Sequence, residues 1–143
     1  MFRATSARIA ASVLMLAMPL PAVAQDHALV LELNNAQDIE GDICELTILT
    51  ENATGTALER AAWQFAIFDA DGRVRALPVI DFGALPEGKT KLVTIGMPGR
   101  SCTQVSRIVV NDVAECLIDG ESRLDLCLTG LSTRSLVDIA FGL

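Results

Sequence analysis

The chain has 143 residues, one domain's worth, and carries 18 acidic against 11 basic side chains for a formal net charge of −7. That balance argues against nucleic acid and against anionic lipid surfaces, both of which are bound through clustered Lys and Arg. With aromatics at 4%, no Tyr and one His, a base-stacking platform and most histidine-dependent catalysis fall away as well.

Residues 1–24 have the parts of a secretory signal peptide. Arg3 and Arg8 give a positive start, Ile9 to Met18 an apolar run, and Ala22-Val23-Ala24 a small-residue cleavage site after Pro19 and Pro21. The apolar run falls short of the roughly 20 residues that a membrane-spanning helix needs. The expectation is a leader over 1–24 and a single domain over 25–143. That domain would be periplasmic or secreted, with no membrane span once the leader is cut. His27 then lies on a loose tail, a poor place for a catalytic group.

The rest of the chain reads as short strands. Ala28 to Leu33 is a β-like run, followed by a polar turn region from Asn34 to Asp42. Ile43 to Glu51 alternates, with Cys44, Leu46 and Ile48 on one face, as a half-buried strand does. A loop over Asn52 to Arg60 precedes Ala62 to Phe68, which aligns Trp63, Phe65 and Ile67. Asp69-Ala70-Asp71-Gly72 is a hairpin turn, since Asp-Gly tolerates positive φ. Val74 to Phe82 returns extended, with Pro78 marking an edge or a bend. Lys89 to Met97 alternates again, and Val105 to Val110 is another strand. Gly120 to Leu131 fits either a short helix striped by Leu124, Leu128 and Leu131 or a strand; a helical piece pinned by Cys127 is the expectation. A last strand is expected near Leu136 to Phe141. Short strands separated by turn signals predict an all-β fold, an antiparallel immunoglobulin-like β-sandwich.

Four cysteines, Cys44, Cys102, Cys116 and Cys127, show no C-x-x-C spacing, so a zinc ribbon or redox motif is unsupported. An even count in an exported chain reads as two disulfides. Of the three possible pairings, Cys44–Cys102 across the domain and Cys116–Cys127 as a local loop are expected. The order Cys44, Trp63, Cys102 resembles the Cys…Trp…Cys core of immunoglobulin-like sandwiches, although Arg100 stands where antibody domains carry a tyrosine.

Gly83 to Thr90, GALPEGKT, matches the phosphate-loop template. A phosphate loop needs a helix beginning at its lysine. Here Lys89 is followed by Thr-Lys-Leu-Val-Thr-Ile, a strand-like run that puts Thr90, Leu92 and Thr94 on one face and Lys91, Val93 and Ile95 on the other. Leu85-Pro86-Glu87-Gly88 is better read as a turn, and nucleotide binding is not expected. Asp81-Phe82-Gly83 mimics a kinase motif without its catalytic loop. Asp69, Asp71, Asp81 and Asp112 are the carboxylates a hydrolase would draw on, but no spacing singles out a pair. Asp38, Glu40 and Asp42, and separately Asp69 and Asp71, form acidic turns of the kind hard cations favour, without the spacing of a calcium loop. Asn52-Ala53-Thr54 matches a glycosylation sequon. Phe68 and Phe82 would form a partner patch if they faced outward.

Three stretches carry a resemblance to a family: Asp81 to Lys91, Arg107 to Asp112 and Asp138 to Gly142, with the cysteines between them. The chain resembles small exported proteins of α-proteobacteria labelled "Tat pathway signal sequence domain protein", over most of residues 25–143. Arg3 and Arg8 are not adjacent, so the label's twin-arginine route does not fit this leader. The group brings no activity or binding residue with it. The expected function is a non-enzymatic accessory module that binds another envelope protein through a sheet face or an open strand edge, with no cofactor and no metal. The alternatives are a small-ligand or Ca²⁺-binding protein and, behind it, a carboxylate hydrolase.

Overall fold

The computed structural model describes residues 28–143; the expected leader and His27 lie outside the described residues. Ten strands follow in order: β1 Leu29–Ile39, β2 Ile43–Asn52, β3 Leu58–Phe68, β4 Val74–Ala76, β5 Val79–Leu85, β6 Thr90–Pro98, β7 Arg107–Ile118, β8 Glu121–Ser122, β9 Leu131–Ser135 and β10 Ala140–Gly142. A short helix, α1 Leu124–Thr129, precedes β9, and a 3₁₀ turn, Cys102–Gln104, precedes β7.

Alternation organises these strands into two layers. β2 buries every second residue from Cys44 to Asn52, and β3 buries Trp63, Phe65 and Ile67. Sheet one runs β6-β2-β1-β9; sheet two runs β10-β7-β3-β4, with β5 also on β3 and β8 also on β7. The inward side chains of both sheets share one apolar core. Trp63 meets Phe82 edge-on at 5.6 Å between ring centroids, and Phe65 lies 5.9 Å from Phe141. The result is the expected β-sandwich, closed by disulfides Cys44–Cys102 and Cys116–Cys127. The short helix is present as well and carries Cys127 on its buried side.

Three elements differ from the sequence expectation. First, β1 runs on through the polar stretch to Ile39, six residues beyond Leu33, because β2 offers it a continuous ladder past a bulge at Leu33/Asn35. Gln37 then donates to Glu45 on the neighbouring strand at 2.7 Å. Tertiary pairing has overridden weak local propensity. Second, the single last strand is two. β9 pairs in parallel with β1 in sheet one, and β10 pairs in parallel with β7 in sheet two. The chain must cross between layers there, and Ser135 Oγ holds the crossing by donating to the Ile139 carbonyl at 2.7 Å. These two parallel pairs make the sandwich mainly, rather than wholly, antiparallel. Third, β7 runs on to Ile118, well past the expected end at Val110, and Cys102 lies in the 3₁₀ turn just before it, so Cys44–Cys102 clips one end of the sandwich. The buried Trp63 anchors on the other disulfide's segment, its Nε1 donating to the Cys127 carbonyl at 3.2 Å.

Thr50 points into the core from β2, fully buried, and its hydroxyl has no hydrogen-bond partner. A buried unsatisfied polar group costs about 1–3 kcal/mol, and valine has nearly the same shape. Thr50→Val is therefore expected to raise unfolding free energy by about 1 kcal/mol, read as a higher urea midpoint at unchanged slope.

Candidate functional site

The phosphate-loop look-alike spans two strands and a turn. Lys89 N bonds the Pro86 carbonyl at 3.0 Å across a tight turn in which Gly88 takes a φ of 69°. The chain then enters β6 at Thr90, so no helix N-terminus faces a phosphate there. Lys91 Nζ is turned onto the Ala84 carbonyl at 3.3 Å.

The glycosylation look-alike also has a structural role. Asn52 is fully buried at the end of β2, where two chain crossings between the sheets meet. Its Nδ2 donates to the carbonyls of Leu85 at 2.8 Å and Thr56 at 2.9 Å, while its Oδ1 accepts from Thr54 N at 3.0 Å and Thr54 Oγ1 at 2.8 Å. The amide a glycan would use is committed inside the fold.

The acidic candidates are spread rather than gathered. Asp69 Oδ1 accepts from the backbone N–H of Asp71 and Arg73, shaping the β3–β4 turn, and its other oxygen accepts from Arg75. These bonds, the Arg73 amide first, lower its pKa. Asp81 lies on β5, held below the usual carboxylate range chiefly by Arg60, which also reaches Glu115 on β7 at 3.1 Å. Asp112 Oδ1 accepts from Val113 N. Each of Asp69, Asp81 and Asp112 is tied to its own backbone or to an arginine; Asp69 and Asp71 share one end of the fold, while Asp81 and Asp112 sit on strands either side of β3. Asp38 accepts from Cys102 N at 2.6 Å and Ser101 Oγ at 2.7 Å, so it braces the disulfide loop, and the Cys102 amide leads in lowering its pKa.

Asp69 and Asp71 line a cavity of about 420 Å³ between the β3–β4 turn and the loop around Arg100, Thr103 and Gln104. Two guanidinium groups, Arg75 and Arg100, share that lining, which suits a mixed-charge ligand better than a bare divalent cation. The aromatic patch does not form: Phe82 is in the core, and Phe68 is half-buried under the Arg107 guanidinium, 4.1 Å from its ring centroid.

The open side of the sandwich carries what sequence reasoning missed. There β6 is the edge of sheet one, and β4 with β5 is the edge of sheet two. Among the described residues, no backbone hydrogen bond reaches the outer edge of β6. Along the facing edge, Val74, Leu77 and Val79 are 47%, 53% and 54% exposed. Between the two edges lies an apolar groove of about 190 Å³ lined by Ile67, Ala76, Pro78, Ile95 and Met97 among others. The Leu77-Pro78 break was the only sequence sign of it, because exposure at an edge depends on which strand fails to find a neighbour.

Glu32 on β1 is buried on the outer face of sheet one, where it accepts from Asn34 and Arg134. The Asn34 bond, then the Arg134 bond, lower its pKa from the ordinary 4.5. A depressed folded pKa gives stability that is present above the unfolded value and lost as pH falls through the folded one. Glu32→Gln is thus expected to lower stability at neutral pH and to shrink the loss of stability below pH 4.5, measured by urea unfolding across the acid range.

Both disulfides are formed, as in proteins of oxidising compartments. No helix among the described residues is long and apolar enough to cross a membrane. No family model and no curated protein matches the chain. Solved structures do. IrmA from Escherichia coli aligns with a TM-score of 0.55 at 11% identity, over 73% of this chain and 89% of that one. Northeast Structural Genomics Consortium target SoR45 aligns at 0.39 and 19% identity, over 52% of this chain and 64% of that one. The CARDB domain of a Pyrococcus furiosus protein, solved in complex with di-metal ions, aligns at 0.35 and 15% identity, over 51% and 59%. The likeness to IrmA is one of fold.

Proposed function

We propose that this chain is an exported, periplasmic interaction module without enzymatic activity, and that it binds an extended segment of another envelope protein along β6. The observation that carries the reading is the nine-residue outer edge of β6, unpaired and regular, beside an apolar groove. Strand addition takes its affinity from main-chain bonds and its specificity from pockets for alternate side chains. The groove offers such a pocket. The leader-like residues 1–24, the two disulfides and the resemblance to exported α-proteobacterial proteins support the compartment.

A second reading rests on the cavity of about 420 Å³ at the disulfide-clipped end, whose Asp71 and Arg100 fit a small dipolar ligand. A ligand specific to the native state raises its stability. A melting temperature that stays flat across added Ca²⁺ and a panel of small zwitterions would remove that reading.

Amine-reactive cross-linking of the tagged protein in the envelope of its own cell, followed by mass spectrometry, tests the first reading. One dominant partner joined through Lys89 or Lys91, which flank and begin β6, is the expected result. A scatter of abundant envelope proteins, with links spread over the surface, would overturn it.

A further inference from the structure

We propose that the β6 edge is self-complementary, and that the free protein is a dimer in which β6 pairs antiparallel with β6 of a second copy about a two-fold axis at Thr94. This rests on β6 being the interaction edge and names its occupant when no other partner is present.

Backbone direction comes first. Asn52 N donates to the Lys89 carbonyl at 3.0 Å, and Ala53 N to the Ala28 carbonyl at 2.8 Å. With the unbroken β2–β6 register, the first bond means that odd-numbered residues of β6 point their backbone groups at β2. Even-numbered residues, Thr90, Leu92, Thr94, Gly96 and Pro98, therefore point theirs outward. Pro98 fits this parity, since its missing N–H falls on the free side, where edge strands tolerate proline. A two-fold axis at Thr94 makes Thr94 face Thr94, Leu92 face Gly96 and Thr90 face Pro98. All of these positions have outward backbone groups.

Side chains agree with the same register. On the inward face, the register extends the β2–β6 pairs Ile48↔Val93 and Leu46↔Ile95 into one apolar row across both copies, with Val93 opposite Ile95. Val93 and Ile95 are only half-buried in the single chain. On the outer face, Leu92 is 56% exposed and would lie over Gly96, beside Ile43, which already packs against that glycine. Thr47, Thr94 and their two copies complete a row of threonines, a favourable cross-strand set.

Charge and shape select this edge over the others. The full chain carries a net charge of −7, yet the only ionised side chain on β6 is Lys91, already turned onto Ala84. The edge thus meets itself without carboxylate facing carboxylate. The β3–β5 ladder has two irregularities, and β9 is five residues long, whereas β6 runs for nine without a bulge. Long, regular edges are the ones that pair with another chain, and the one proline of β6, Pro98, lies at its very end.

Sedimentation velocity on the purified chain, over a wide concentration range, is expected to show a monomer–dimer equilibrium. Thr94 is exposed in the single chain, so substitutions there leave the fold intact, checked by circular dichroism and a non-reducing disulfide map. Thr94→Lys sets like charges on the axis and is expected to weaken the dimer by about tenfold or more. Thr94→Cys is expected to give a disulfide-linked dimer on mild oxidation, because facing Cα atoms in such a pair lie about 5.5 Å apart, within disulfide reach. Thr90→Cys, which faces Pro98, is not. A strictly monomeric protein, or a dimer that persists in Thr94→Lys and leaves Thr94→Cys uncrosslinked, would overturn the inference. A monomer that still cross-links one envelope partner through β6 would sink this inference and leave the function standing. A dimer with no such partner would do the reverse.

Discussion

The carboxamide of Asn52 holds together two of the places where the chain passes between layers. β2 leaves sheet one through residues 53–57 to reach β3, and β5 leaves sheet two through residues 86–89 to reach β6. Both crossings are bonded to the same buried side chain, through Thr56 on one side and Leu85 on the other. Main-chain bonds from Asn52 N to Lys89 O and from Gly88 N to Asn52 O add to the grip. The starting point of β6, and hence the register that leaves its far edge free, is set here. A shorter or purely apolar side chain would leave several carbonyls and N–H groups without partners at once, so substitution there is expected to be costly.

Much of the architecture is legible in the residues because two strands obey the period of two almost without exception. β2 and β6 alternate so cleanly that their faces follow from Cys44, Leu46 and Ile48 and from Thr90, Leu92 and Thr94. The Asp-Gly turn at Gly72 and the presence of two disulfides are legible for similar reasons, since turn chemistry and compartment are local or global properties that need no knowledge of neighbours. What fails to show is anything decided by a partner strand. The tail of β1 from Asn34 to Ile39 looks like a turn until β2 is laid beside it. The split between β9 and β10 is invisible until the layers are assembled. The open side belongs to the same class, because an edge is an absence of pairing and leaves no mark on composition.

Two sequence motifs, GALPEGKT and Asn52-Ala53-Thr54, match patterns for phosphate binding and glycosylation, and the structure assigns both to the same junction. Their glycine, proline and asparagine are there to turn the chain tightly and to satisfy buried backbone groups. The chemistry such motifs advertise elsewhere depends on a helix start or an accessible amide, and here the first is replaced by β6 and the second is used up inside.

The parallel pairing of β1 with β9 has a mechanical consequence. Leu29 to Leu33 lie beside Leu131 to Ser135 and run the same way, so tension applied at the two ends of the domain would slide these strands along each other. Bonds loaded in that manner resist together instead of parting one at a time. Cys44–Cys102 adds to this by routing tension from β2 directly to the 3₁₀ turn before β7, leaving the segment between the two cysteines slack. A domain wired like this can be pulled between two attachments while its β6 edge keeps its shape.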